Sequence, residues 1–424
     1  MEAVIKPSKL SGKINAISSK SDAHRALICA ALADSPTKVL VNSYSDDIEA
    51  TVGALTALGA KIIRTEHGLT VMPTEHVEAE PQIDCRESGS TLRFLLPVAA
   101  AMCRKATVTG RGRLPQRPMS PLIDELALHG CDIGGKRLPR TVSGGLLPGK
   151  YEIGGDISSQ FISGLLFALP MLCKDSEIVL TSPLQSSGYV NMTIKTLANF
   201  NIEIIETKTG FRVPGKQNYI TCGEYKVEGD WSNSAFWLAA GALGNGCAVT
   251  GLCEKSLQKD KEIVEILTAQ GAEVESGAEI ISVRPGEPDC ENSEIDAREI
   301  PDLVPIAAVL ACKKKAKTVF TNCERLRLKE SDRLEAVREM ICALGGEARC
   351  SESTLTIVGS GSLRGGIVDS KNDHRIAMSA AIAAALCSEN VIITGADAVK
   401  KSYPDFFCDY IKLGGEGDVV KFRK

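Results

Sequence analysis

Six short polar clusters stand at intervals along this 424-residue chain, each at the head of an apolar run. They read Ser19-Lys20-Ser21-Asp22-Ala23-His24-Arg25, Glu87-Ser88-Gly89-Ser90-Thr91-Leu92-Arg93, Ser158-Ser159-Gln160, Ser232-Asn233-Ser234, Pro301-Asp302 and Asn372-Asp373-His374-Arg375. Ser, Asp and Asn are good N-caps, so capping accounts for part of each cluster. It does not account for Lys20, Arg25, Arg93 and Arg375, because a cation at a helix N-terminus opposes the macrodipole, at a cost of a few tenths to ~1 kcal/mol. A bound anion offsets that cost. Helix amides, serine hydroxyls and a cation together make a seat for phosphate or carboxylate. Several such seats point to a polyanionic ligand.

Two further basic stretches join them. Arg325-Leu326-Arg327-Leu328-Lys329-Glu330-Ser331-Asp332-Arg333 opens an amphipathic helix and reads either as a solvated charge run or as part of a site. Arg111-Gly112-Arg113-Leu114-Pro115-Gln116-Arg117-Pro118 is a turn rich in arginine. The pairs Gly134-Gly135 and Gly144-Gly145 lack the spacing of a phosphate-binding loop, so no nucleotide site is inferred. His67, His76 and His129 read as surface or loop residues, and no Ser-His-Asp or Cys-His arrangement is defensible. The fifteen cysteines form no CxxC pair or zinc-spaced cluster; most, including Cys29, Cys103, Cys173, Cys312 and Cys387, sit among apolar residues and read as small core residues of a reducing cytoplasm. Neither a metal nor an organic cofactor is expected.

The elements that must position these clusters repeat. Six amphipathic helices end at Gly59, Gly130, Asn201, Gly271, Gly345 and Gly414, spaced by 71, 71, 70, 74 and 69 residues. A left-handed residue after the last turn explains the glycines. Short alternating runs follow as hairpins, such as Ile62–Arg64 with Leu69–Val71 and Ile202–Ile205 with Phe211–Val213. Before each amphipathic helix stands a wholly apolar one, which must be buried. The unit is therefore strand, buried helix, strand, amphipathic helix, hairpin. Six such units make a closed solenoid or two lobes of three, and chain length favours two lobes. A net charge of −4 argues against nucleic acid as partner. The apolar stretch Leu95–Met102 is too short to cross a membrane. No signal core opens the chain, so the expected location is cytoplasmic.

Lys20-Ser21 with Arg25, the run from Ser88 to Arg93, Arg117-Pro118, Ser158-Ser159-Gln160, Lys329–Arg333, Asn372–Arg375 and Lys401-Ser402-Tyr403-Pro404-Asp405 resemble, in order and end to end, the 5-enolpyruvylshikimate-3-phosphate synthases of the enolpyruvyl transferase family. The resemblance implies an α/β, two-lobed fold of six βαβαββ repeats, three per lobe, an inside-out α/β barrel. Residues 1–16 with 229–424 would form the C-terminal lobe and 17–228 the N-terminal lobe, with the site in the cleft between them. It implies transfer of the enolpyruvyl group of phosphoenolpyruvate to the 5-hydroxyl of shikimate 3-phosphate, in the shikimate pathway to aromatic amino acids, by a cofactor-free monomer that glyphosate inhibits. Shikimate 3-phosphate would be held by Lys20, Ser21, Arg25, Ser158, Ser159, Gln160, Ser186, Asp302 and Lys329. Phosphoenolpyruvate would be held by Lys20, Gly89, Arg117, Gln160, Arg333, Arg375 and Lys401. Asp302 would take the hydroxyl proton and Glu330 would protonate C3, with Lys20 and His374 assisting. Glu87 and Arg325 depart from the family pattern, each standing where relatives often have Asn.

Two rivals are weighed against this reading. The sister transferase that uses UDP-N-acetylglucosamine typically has Lys-Asn where this chain has Lys20-Ser21, and often a cysteine in the loop corresponding to Arg111–Pro118. A ring-forming clamp on DNA needs a basic lining, but it has no use for Asp302, Glu330 and His374 among the cations.

Overall fold

The structure, a computed structural model, describes residues 1–287 and 291–419. The chain divides into two compact units, one of Met1–Ile17 with Glu228–Lys424 and the other of Ser18–Val227. Each has its own apolar core and three four-stranded sheets.

One sheet explains the others. Lys150–Ile153 runs parallel to Ser176–Leu180, and the helix Ser159–Ala168 crosses between them. Gly210–Val213 then pairs antiparallel with Ser176–Leu180 and carries Ile205–Glu206 on its outer edge. The crossover helix is apolar on every side because it lies inside the unit. All thirteen residues of the corresponding helix Trp231–Leu243 are buried. In two sheets the first strand comes from a distant stretch. Gly12–Asn15 lies parallel to Cys247–Thr250, and Glu224–Lys226 parallel to Thr37–Leu40. In a third, the N-terminal strand Glu2–Ile5 pairs with both Val391–Thr394 and Gly417–Val419, completing the last repeat.

The six repeat markers share one geometry. Gly59, Gly130, Asn201, Gly271, Gly345 and Gly414 all have positive φ, between 60° and 102°. In each case the next amide bonds back to the carbonyl five residues before it, as Ala60 does to Leu55 and Gly415 to Tyr410. This closes the orphan carbonyls of the last turn.

Four of the six buried helices begin on a side-chain cap: Ser19, Ser88, Asp230 and Asp373. Ser158 and Leu303 head the other two without one. Several expectations need correction. The strand expected at Ile202–Ile205 is confined to Ile205–Glu206, because Ile202 turns inward within the helix-end motif and is buried. Cys173 is exposed, not in the core. His129 is half-buried, stacked on Tyr151 with ring centroids 3.7 Å apart. The charged run at 325–333 precedes its helix: Glu324–Leu328 is a 3-10 turn, and Arg333 is the first residue of the helix Arg333–Ala343. Among the described residues, no helix is long and apolar enough to cross a membrane.

Candidate functional site

In the Ser18–Val227 unit the first cluster sits on the opening turn of the helix Lys20–Leu32. Lys20 Nζ donates to Asp47 Oδ2 at 2.9 Å. One turn on, Arg25 is buried and held on three sides. Its Nε donates to Thr193 Oγ1 at 2.8 Å, Nη2 to the Tyr189 carbonyl at 2.8 Å, and Nη1 to the Ser21 carbonyl. The Phe94 ring lies 5.0 Å from its guanidinium. Burial pulls the Arg25 pKa down to about 10 against the opposing fields of Asp22 and Tyr189, so it stays charged at neutral pH.

The second cluster opens the helix Gly89–Met102. A Cβ on Gly89 would stand 2.7 Å from Arg117 Nη1 and 3.0 Å from its Cζ, so the guanidinium rests directly on the helix's first residue. Arg93 Nη1 donates to Gln160 Oε1 at 2.7 Å, and Gln160 Nε2 donates to Ser90 Oγ at 2.9 Å. Gln160 thus ties two helix openings together. Pro97 lacks the N–H that would bond the Arg93 carbonyl, and Gly164 closes over that carbonyl, where a Cβ would stand 2.2 Å away. Ser158, Ser159 and Ser186 are all buried. Ser186 is left-handed at φ 55°, heading the helix Ser187–Asn199. That conformation costs a non-glycine residue about 1–3 kcal/mol, and such strain gathers at ligand sites. Glu87 turns its carboxylate over Gly112, 2.5–2.8 Å from where a Cβ would be.

In the other unit the charges form one network around Arg333, whose side chain is 1% exposed. Its Nη1 donates to Asp302 Oδ1 at 2.5 Å, Nη2 to Glu330 Oε2 at 2.5 Å, and Nε to Asp373 Oδ2 at 2.9 Å. A second Nη2 bond reaches Asp373 Oδ1 at 3.3 Å. Four of the five N–H groups of this guanidinium are therefore committed to protein carboxylates. Asp302 also faces Lys329 Nζ at 3.3 Å and Arg375 Nη2 at 3.4 Å. Burial works against its charge, but Arg375, Lys329 and Arg333 together outweigh burial and hold the carboxyl well below the usual range. Lys329 is pushed down to about 8, chiefly by burial; Asp302 resists the shift, and Arg333 and Arg325 add to it. Arg325 thus acts on Lys329. Lys401 donates to the Asn372 carbonyl at 2.7 Å. His374 is buried, its Nδ1 4.0 Å from Asp373 Oδ1.

The structure brings Asp302, Lys329, Glu330, Arg333 and Arg375 into one cluster, and Gly89, Arg117, Arg93 and Gln160 into another. It also adds residues to which sequence reasoning gave no role. Asp373 caps its helix through the Arg375 amide at 3.0 Å while binding Arg333. Asp260 is buried and accepts the Ser232 hydroxyl, which in turn accepts Arg375 Nη2 at 2.7 Å. Burial and the neighbouring Asp302 lift the Asp260 carboxyl to about 6, against the pull of Arg375. Asp47 anchors Lys20. Behind the second cluster runs a buried chain: His24 Nδ1 to Thr51, Thr51 to Thr91, and Thr91 to the Ser88 cap, each link 2.7–2.8 Å. The only sequence signal for these residues was a polar side chain inside an apolar helix, as at His24 and Thr91. Among the described residues, no three His, Cys, Asp or Glu are grouped to hold a metal ion.

A sequence model of the family described as EPSP synthase (3-phosphoshikimate 1-carboxyvinyltransferase) matches residues 4–409. A protein of that second name from Clostridium kluyveri is 42% identical over 422 residues, covering 98% of this chain and 97% of that one. Another, from Clostridioides difficile, is 40% identical over 430 residues, covering 98% of each. Among solved structures, EPSP synthase from Acinetobacter baumannii matches with a TM-score of 0.80 at 24% identity, over 98% of this chain and 99% of that one. The enolpyruvyl transferase NikO from Streptomyces tendae matches with a TM-score of 0.79 at 16% identity, over 98% of each. At these identities the structural likeness speaks to the fold.

Proposed function

The chain belongs to the EPSP synthase family, and we infer that it transfers the enolpyruvyl group of phosphoenolpyruvate to the 5-hydroxyl of shikimate 3-phosphate and releases phosphate. The hydroxyl oxygen adds to C2 of phosphoenolpyruvate and gives its proton to Asp302 as C3 gains a proton from Glu330. The tetrahedral adduct then loses a C3 proton and phosphate, restoring the double bond. The observation that carries the reading is the single Arg333 guanidinium that holds both Asp302 and Glu330, beside the buried Asp373.

Asp302, held as an anion by three cations, suits acceptance of a hydrogen bond from the attacking hydroxyl. Glu330 needs the opposite tuning, because it must carry a proton to C3. An anionic substrate seeking the Arg333 fork finds only one N–H uncommitted. A two-point contact with the fork must therefore displace a carboxylate. Asp373 is fully buried and Asp302 is also held by Lys329 and Arg375; the proposed exchange moves Glu330, whose side chain is 20% exposed. Glu330 would then exchange a bonded cation for a neighbouring anion, and both changes favour its protonated form. Substrate binding thus makes the acid that the reaction needs.

Ser158, Ser159, Ser186, Ser21, Arg25 and Lys20 would serve the phosphate and carboxylate of shikimate 3-phosphate, with Lys329 and Gln160. Arg117 over Gly89, Arg375 and Lys401 would serve phosphoenolpyruvate with Arg333. Both sets act in one reaction. The strain at Ser186 and the cations at helix openings support these assignments.

Phosphate release from phosphoenolpyruvate, measured with shikimate 3-phosphate and separately with UDP-N-acetylglucosamine, tests the function. Turnover is expected only with the former. Turnover with the nucleotide sugar instead would assign the chain to the sister activity.

A further inference from the structure

A cavity opens within the Ser18–Val227 unit, its lining free of Ser21, Arg25, Ser158, Ser159 and Ser186. It encloses about 400 Å³, inside the roughly 300–1,000 Å³ range of small-molecule sites. Its floor is apolar and buried: Leu92, Leu96, Val108 and Leu114, with Met119 and Ile123 beside them. Its rim is cationic. Lys136 and Arg137 are exposed there, and neither side chain has a carboxylate at ion-pair distance among the described residues. Arg140 pins the same loop by donating to the carbonyls of Gly135 and Lys136. One carboxylate, Asp124, shares the rim, and the Ser120 hydroxyl bonds it at 2.7 Å.

Two features tie this cavity to the seat at Gly89. Leu92 and Leu96 lie on the helix that Gly89 opens. Arg117 contributes to the cavity wall, while its guanidinium rests on Gly89.

We propose that this cavity is a regulatory site for a small amphipathic carboxylate, whose apolar body fills the floor and whose head meets Lys136 and Arg137, and that its occupation draws Arg117 away from Gly89 and weakens phosphoenolpyruvate binding. The chemistry follows from the lining. A bare phosphate would leave the floor dry and unfilled, at the cost of lost dispersion contacts. A neutral apolar molecule would leave the rim's cations unused. A carboxylate on an aromatic or branched body satisfies both, and one arginine shared between two anion seats cannot serve both fully.

The probe is 4-phenylbutanoate, with 4-phenylbutanamide as the uncharged control and butanoate as the control without a body. Binding to the full chain is read by ligand-observed NMR without substrates, so this measurement stands apart from the assigned reaction. The acid should bind ~10-fold more tightly than either control. Lys136→Ala/Arg137→Ala, on an exposed loop, should weaken the acid by ~10-fold and leave basal turnover within ~2-fold. Ile123→Trp should fill the cavity and abolish binding. In turnover, saturating acid should raise KM for phosphoenolpyruvate by ~3-fold or more and leave KM for shikimate 3-phosphate unchanged. Equal binding of acid and amide, or full affinity in the double variant, overturns the proposal, as does no binding at about 10 mM. If phosphoenolpyruvate displaces the acid from a double variant of undiminished affinity, the acid sits at the Gly89 seat and the cavity is not its site. An unchanged KM for phosphoenolpyruvate with the cavity occupied overturns the regulatory claim.

Discussion

Asp373→Ala should destabilise the Met1–Ile17/Glu228–Lys424 unit and disable catalysis together, because one carboxylate does two jobs. Its side chain is fully buried, accepts two hydrogen bonds from Arg333 and one from Ser331, and caps the helix His374–Ala383. Loss of the cap costs about 1 kcal/mol. Removing one partner from a buried ion pair costs about 3–5 kcal/mol. The two terms share a side chain and do not simply add. Asp302 and Glu330 remain on Arg333, so its charge is not stranded. The net expectation is about 3–4 kcal/mol, equivalent to roughly 6–16 °C in the midpoint of a unit this size. Asp373→Asn keeps an oxygen for the cap and should lose about half as much. Turnover should fall ~100-fold in the alanine variant, the scale of a 1 Å misplacement of a catalytic group. Differential scanning calorimetry and steady-state phosphate release read the two effects. A midpoint within about 2 °C of the parent, or turnover within about threefold, would show that Asp373 does not hold Arg333 in place.

Four other outcomes follow from the same geometry. Asp302→Ala and Glu330→Ala should each cut turnover by ~100-fold or more, while calorimetric binding of shikimate 3-phosphate survives the Glu330 change; near-parental turnover of Glu330→Ala would remove it as proton donor. With its ammonium at about 8 in the free enzyme, Lys329 loses charge as pH rises through that value, so affinity for shikimate 3-phosphate should fall above it. Lys329→Arg should carry that limb upward, and an unmoved limb would assign it to another group. Glyphosate should compete with phosphoenolpyruvate, and Gly89→Ala should weaken inhibition more than substrate use, since the new methyl would stand 2.7 Å from Arg117 Nη1 and narrow the seat; equal loss of both would refute the steric argument. His24 is buried and neutral, its pKa lowered chiefly by burial and then by Lys20 and Arg25. The unfolded chain therefore binds the extra proton, and stability should fall as pH drops below ~6.5, by at most about 1.4 kcal/mol per pH unit. Urea midpoints of parent and His24→Asn between pH 7 and 5 should diverge, and parallel curves would exclude His24 from the acid response.

The repeat was legible because it rests on local backbone rules. A helix that must end and turn back needs a left-handed residue, and Gly59, Gly130, Gly271, Gly345 and Gly414 supply it. Asn201 does so with a side chain that tolerates the conformation. The buried helices were equally plain, since a helix apolar on every face has nowhere to go but inside. Strand partners were not legible from the pattern. Gly12–Asn15 pairs with Cys247–Thr250, more than two hundred residues on, and alternation along a strand carries no information about its neighbour. The resemblance, not the periodicity, assigned the first strand to the later part of the chain.

The site was half legible, and the division follows electrostatic logic. Lys20, Arg25, Arg93 and Arg375 stood out because a cation at a helix opening breaks a rule. The acids that hold the site's cations break none. Asp373 looked like an ordinary cap, and it is one. Asp260 lay in Lys259-Asp260-Lys261-Glu262, which reads as a solvated charge run, yet it is buried and supports Arg375 through Ser232. A list of cations alone therefore overstates the positive charge waiting for a ligand. Lys20 already has Asp47, and Arg333 has three carboxylates. An anion that took two N–H groups of Arg333 would gain contacts and break one, so its affinity would be the difference between them. What the proposed exchange would add is the displaced acid: Glu330 would leave its cation at the moment a proton is required at C3, which would couple binding of the substrate to the protonation state that transforms it.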